Sequence, residues 1–278
     1  MADVIVDGTL SPAGGIVYLD QPGQRLRSKD GSLGIVRGAV YVTKEGAGAT
    51  IDPTIKLELP GGFSAQAGAV QCAASRVGIH CEIDLGGNPM QGVQIIQWNG
   101  EIPDACDISG LYAYNNAQRP GDADKMHGIY VQDSTNLRGR NVRFSDIRGG
   151  WGIHFYCNQN VQVCRGARLE QVTCERNLGD VIFWGPGVAD NRVDKLLSLG
   201  AGAKGVVTQN QSAQGHGNVV DHVTTPTSGY GYQEEVVTPP LPGGGDAEAQ
   251  LQAWRDWYAS APGGPWAEWW KRAPITSS

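Results

Sequence analysis

The chain has 278 residues and a formal charge of -6, with 40% hydrophobic and 18% charged residues and 40 glycines. Apolar residues distributed along its whole length exclude a disordered polymer, and the negative charge argues against duplex DNA or an anionic membrane as the main partner. No segment reaches the ~18 apolar residues that a bilayer span requires.

The stretch from Met1 to Gly15 lacks the basic and apolar regions of a secretory signal, so synthesis in the cytoplasm without a signal peptide is expected. The cysteines at 72, 81, 106, 157, 164 and 174 form no CxxC pair. Reduced thiols packed as small apolar groups are therefore expected rather than a zinc site or disulfides.

Residues 1–77 hold short strand candidates (Val4–Val6, Ile16–Leu19, Ala39–Val42, Ile55–Leu59) separated by glycine and proline. They read as an N-terminal cap with early, irregular coils. A regular solenoid is expected over 78–238. Between Asn115 and Asp124 the sequence reads as a loop leaving the stack.

The repeat becomes explicit downstream. Gly128-Ile-Tyr-Val-Gln, Gly152-Ile-His-Phe-Tyr, Asp180-Val-Ile-Phe-Trp and Gly205-Val-Val-Thr-Gln start 24, 28 and 25 residues apart, and Gly231-Tyr-Gln-Glu follows after 26. Each is a β-prone run leaving a turn residue. Asn136, Asn160, Asn191 and Asn218 recur in the same frame at turns, where asparagine tolerates left-handed backbone and can bond its own kind in the next coil. A recurring unit of this length predicts a stacked solenoid.

Alternation then assigns faces. Ile129, Val131, Ile153, Phe155, Val181, Phe183, Val206 and Thr208 are expected inward. Tyr130, His154, Ile182 and Val207 form one outward row, and Gln132, Tyr156, Trp184 and Gln209 the next. A slip of one residue exchanges the two sides.

After Gly231, Pro239–Gly245 reads as a linker. Residues 246–278 read as a short helical appendage, with Asp246 as N-cap and Ala247, Leu251, Trp254 and Tyr258 at helical spacing. Trp254, Trp257, Trp266, Trp269 and Trp270 are five of the chain's eight tryptophans. Such density predicts packing on the solenoid or docking to another chain, which makes this segment the assembly candidate.

The run HGIYVQDSTNLRGRNVRFSDIRGGWGIHFYCNQNVQV, from His127 to Val163, resembles the pectate-lyase-like superfamily of right-handed parallel β-helices. There, similar strands are followed by an asparagine turn. The opening GGIVYLDQPGQ is similar to the first strand of phage tailspikes of that kind. The resemblance implies an all-β fold, a right-handed parallel β-helix carrying the tryptophan-rich appendage. It also implies a virion-associated module that binds a surface polysaccharide and packs with other virion or self subunits. A polysaccharide hydrolase, lyase or epimerase on the same scaffold is the alternative, because fold does not fix function.

Tyr130, Gln132, His154, Tyr156 and Trp184 are the candidate glycan contacts, through ring faces and amide hydrogen bonds. A loop or the C-terminal segment covering them is the competing reading. The catalytic candidates are Asp122, Asp124 and His127, with Lys125 beside them, and Asp180, which replaces the glycine of other repeats. Paired carboxylates serve glycoside hydrolysis, and a lysine or histidine base serves lyase chemistry. His80, His216 and His222 show no metal-ligand spacing, and no cofactor fingerprint is present, so neither metal nor cofactor is expected.

Overall fold

The structure is a computed structural model that describes residues 3–63, 68–97, 100–118, 125–157, 163–210 and 217–225. Every strand pair in it is parallel, and the strands form a solenoid whose coils each pass through three faces. The first face is an eight-stranded sheet of Ile16–Leu19, Ala39–Val42, Gly68–Cys72, Gln91–Ile95, Ile129–Gln132, Trp151–Tyr156, Gly179–Trp184 and Val207–Asn210.

The second face stacks Val4–Val6, Arg25–Ser28, Thr50–Ile51 and Gly78–Ile79. Bridges at Asp107 continue it into the opening residues of Arg138–Ile147, Arg168–Glu175 and Arg192–Leu199, and Val219–Asp221 follows. The third face runs from Thr9–Leu10 through Gly34–Val36, Ile55–Glu58, Glu82–Asp84 and Tyr112–Asn116 into the closing residues of the same three long strands. The coils thus begin at Val4, far upstream of the repeat visible in the sequence.

Left-handed residues make the corners. Gly23, Gly48, Arg76, Ala105, Asn136, Gly166, Asp190 and Gly217 all have φ between 53° and 74°. Successive members stack: Gly23 N–H donates to Ala47, Gly48 to Ser75, Arg76 to Asp104, Ala105 to Thr135, and Asn136 to Arg165. Each accepting carbonyl belongs to the residue before the next member of the column. A second column, Gly110, Asn141, Gln171, Lys195 and His222, has φ of 50° to 75° and bends the long strands from the second face into the third.

The asparagine frame resolves into two columns. Asn136 belongs to the left-handed column, whereas Asn191 and Asn218 stand one residue later. Asn191 Nδ2 donates to Asn218 Oδ1 at 2.8 Å, and Asn191 Oδ1 accepts from Ala167 N–H at 3.0 Å. Asn160 lies outside the described residues.

Inside, the expected columns are present. Ile129, Ile153 and Val181 stack in register, as do Val131, Phe155 and Phe183, and all six are buried. The rings of Phe155 and Phe183 lie 5.2 Å apart and nearly parallel. The next coil departs from expectation by one residue: Val207, not Val206, pairs with Val181, and Thr208 joins the outward row. The cause is the turn before it, where Gly205 bonds Gly202 with φ of 75° and is consumed as a turn residue rather than as the start of the strand. All six cysteines are buried free thiols, and Cys72 and Cys106 stand with sulfurs 3.9 Å apart. The linker at 239–245 and the appendage at 246–278 lie outside the described residues.

Ala105 is exposed and held at φ 53°. A left-handed L-residue costs roughly 1–2 kcal/mol, while glycine there adds back roughly 0.4–1 kcal/mol of unfolded-state entropy. Ala105→Gly is therefore expected to stabilise the fold by about 0.5–1 kcal/mol in chemical denaturation, and a loss of stability would contradict the corner's role.

Candidate functional site

On the first face the outward row runs Tyr18, Tyr41, Gln71, Gln94, Tyr130, His154, Ile182 and Thr208, each paired with the next. Beside it Gln132, Tyr156 and Trp184 stack in register, followed by Asn210 rather than Gln209. All five predicted contact residues therefore share one patch over three consecutive coils.

Ring contacts tie the patch together. Tyr130 lies 5.2 Å from His154 and 5.7 Å from Tyr156, and His154 lies 5.5 Å from Tyr156. Accessibility varies across it: Trp184 is 37% exposed, Tyr130, Gln132 and Tyr156 are half-buried, and His154 and Ile182 are buried.

His127 joins this patch from below. Its ring stacks on Tyr130 at 5.6 Å and meets His154 edge-on at 4.3 Å. Its hydrogen bonds fix two tautomers. The backbone N–H of Trp151 donates to His127 Nδ1 at 3.1 Å, so Nδ1 carries no proton and Nε2 must. That Nε2–H donates to His154 Nδ1 at 2.7 Å, which leaves the remaining proton of His154 on its own Nε2.

His154 Nε2 is buried and makes no hydrogen bond. Burial holds His127 well below the ordinary histidine range, with the charge of His154 acting the same way, and pushes His154 down to about 3. Both rings are therefore neutral at pH 7. Gln91 clamps the approach: its Oε1 accepts from His127 N–H and its Nε2 donates to the Lys125 carbonyl, each at 2.6 Å. A buried ring serving as acceptor and donor within the fold is poorly placed to be the loop base expected of His127.

Asp180 faces the core instead. It stands in register above Gly128 and Gly152, where a Cβ would meet Phe144 Cδ1 at 2.3 Å and Cys174 Sγ at 2.9 Å respectively. The column opposite runs Phe144, Cys174, Ser198, so the third-face side chain shrinks as the first-face position grows. Asp180 is fully buried; Asn177 Nδ2 approaches its Oδ1 at 3.4 Å, and its Oδ2 has no partner. Burial pushes its carboxyl up to about 7, against smaller opposing effects of Ser198 and Asn177.

Two members of this neighbourhood had no signal in the sequence. Trp151 is buried with an unpartnered Nε1, lies 5.8 Å from His154, and has Lys204 Nζ 6.0 Å from its ring centre. Asp133, at the corner after Gln132, is buried with φ 119° and accepts from Val163 N–H, and desolvation pushes it up to about 6. A left-handed aspartate reads in a sequence as an ordinary turn residue, which hides it. Asp122, Asp124, His216 and the five C-terminal tryptophans lie outside the described residues.

Among the described residues no cluster of three or more histidine, cysteine, aspartate or glutamate side chains could hold a metal, and no helix is long and apolar enough to cross a membrane. No family model, no curated protein and no solved structure matches the chain.

The Asp180 carboxyl titrates at about 7 in the folded protein and near its ordinary 3.8 in the unfolded chain. The folded state holds a proton that the unfolded chain releases between those values, so stability should fall as pH rises from about 4 to about 7 and level off above. The change is on the order of a few kcal/mol. Asp180→Asn should flatten this part of the stability–pH curve and raise stability at pH 8, measured by denaturant unfolding. An unchanged curve would show that Asp180 is ionised in the core.

Proposed function

We propose that the chain is a polysaccharide-binding module whose first face receives an extended glycan across Tyr130, His154, Tyr156 and Trp184. We read it as a right-handed member of the pectate-lyase-like β-helices, in a phage tail or comparable surface assembly. The observation that carries the reading is the in-register patch of rings on an outward face, with Trp184 37% exposed at its edge. Flat aromatic faces offer contact area at little conformational cost. The Gln132 amide adds a hydrogen-bonding group suited to hydroxyls.

One observation favours a second reading, a polysaccharide hydrolase. Asp133 borders the patch with its carboxyl pushed up to about 6 by burial. A carboxylic acid still partly protonated near neutrality is what protonation of a glycosidic oxygen needs.

Trp184→Ala and Tyr156→Ala should each weaken binding of a host surface polysaccharide by about 1–3 kcal/mol, the range of aromatic stacking on planar ligands. Isothermal titration at constant pH measures this, and wild-type affinity in both variants would remove the ring patch from the interface. Release of new reducing ends in the same mixtures would move the reading to the hydrolase.

The assembly role rests on the composition of residues 246–278 alone. Their deletion should lower the mass of the particle seen by light scattering or prevent incorporation into the assembly. Unchanged mass with normal incorporation would reject that role.

A further inference from the structure

The second face carries a ladder of arginines that the ring patch does not use. Arg138, Arg168 and Arg192 occupy one register position in three successive coils and are all exposed. Strands stack ~4.8 Å apart, so three like charges recur at that interval, an arrangement that costs stability unless something compensates it.

Most of the nearby carboxylates are already taken. Glu170 accepts from Lys195 Nζ at 2.7 Å, Asp194 from His222 Nδ1 at 2.6 Å, and Asp221 pairs with Arg192 at 2.5 Å. Arg138 and Arg168 form no ion pair among the described residues. Each is anchored by one nitrogen to turn carbonyls of the coils: Arg138 Nη1 to Gly166 O at 3.0 Å, and Arg168 Nη1 to Ala167 O at 2.8 Å and Asp190 O at 2.6 Å.

Arginines elsewhere on this face provide an internal contrast. Arg25 and Arg27, at the N-terminal end, are paired with Asp52 at 2.7 Å and Asp3 at 2.8 Å. Beside the ladder lies an open cavity of about 360 Å³ lined by Arg138, Arg140, Arg168 and Arg192, together with Glu170 and Asp194, whose carboxylates are engaged by Lys195 and His222.

We propose that this ladder is a second binding surface, for a linear acidic polysaccharide lying along the coil axis with its carboxylates or sulfates against Arg138 and Arg168, beside Arg192, which Asp221 already pairs. A guanidinium pinned through one nitrogen keeps its other edge for paired hydrogen bonds to an oxyanion, and the pinning removes entropy that binding would otherwise cost. The periodicity favours a polymer with one charge per extended sugar. Each strand of a DNA duplex places its phosphates about 3.4 Å apart along the axis, out of step with the coils. The surface is separate from the ring patch, so either can fail without the other.

The test uses the full chain with alginate as the carboxylate probe, heparin as the sulfate probe, dextran as the neutral control, and oligo-dT as the nucleic-acid probe. Alginate, heparin or both should bind with an affinity that falls with added salt, and dextran should leave the ladder unoccupied. Arg138→Gln with Arg168→Gln should weaken the acidic-glycan affinity at least tenfold, with an unchanged far-UV spectrum and thermal midpoint. The matching double lysine variant should lie between, since it keeps charge and loses the paired geometry. Arg25→Gln, at the N-terminal end of the same face, should leave this affinity unchanged. Binding of neither acidic glycan at low salt, full affinity in the double glutamine variant, or tighter binding of oligo-dT than of both glycans would each overturn the proposal.

Discussion

Backbone hydrogen bonds between coils govern every other feature of this molecule. In a parallel stack, successive residues bond the coils on either side in turn, so each residue is held over a fixed partner 21 to 36 positions away. Side chains are then obliged to stand over one another whatever their chemistry. Where they are apolar the column becomes core, as with Ile129, Ile153 and Val181. Where they are rings it becomes the patch around His154, and where they are arginines it becomes the ladder on the second face. The corners make this register possible, because a left-handed residue recurs at one place in eight coils and turns the chain without breaking the ladder.

How much of this was legible depended on whether the alternation survived. The strands at Ile129, Ile153 and Gly179 combine a turn residue, a β-branched or aromatic inward pair and near-constant spacing, and so announce themselves. The coils below them are built from strands of two to five residues, too short to show a period. On the long strands the left-handed Asn141, Gln171 and Lys195 insert a residue that inverts the parity. Val142 and Phe144 are therefore buried together with Gly139, and a strict period-two reading fails there.

The candidate site divides the same way. Tyr130, His154, Tyr156, Gln132 and Trp184 follow from alternation once the strand is placed. The pairing of His127 with His154 does not, since one lies just before a strand and the other within the next coil. Asp180 breaks the glycine pattern visibly, yet its inward aim depends on Ser198 being small across the core, which no local pattern encodes. The arginine ladder escaped notice because its members are 30 and 24 residues apart, while the first-face repeat in the same coils runs 24 and 28. Turn lengths differ between faces, and only the assembled coil equalises them.

The core also changes character along the axis. Its lower part is filled by Leu19, Leu26, Ile51, Ile55 and Leu57, while the upper coils bury Thr173, Asp180, Asn191 and Ser198. In a solenoid each coil touches only its neighbours, so such a gradient is not averaged over the whole body. The molecule behaves as a zipper with a strong end and a weak one. Loss of structure would start among the coils that hold the buried polar groups and travel toward the N-terminus until it met the aliphatic block. The ring patch lies on the weak side of that boundary, so a pull applied at the C-terminal end would unravel it while the first coils still stood.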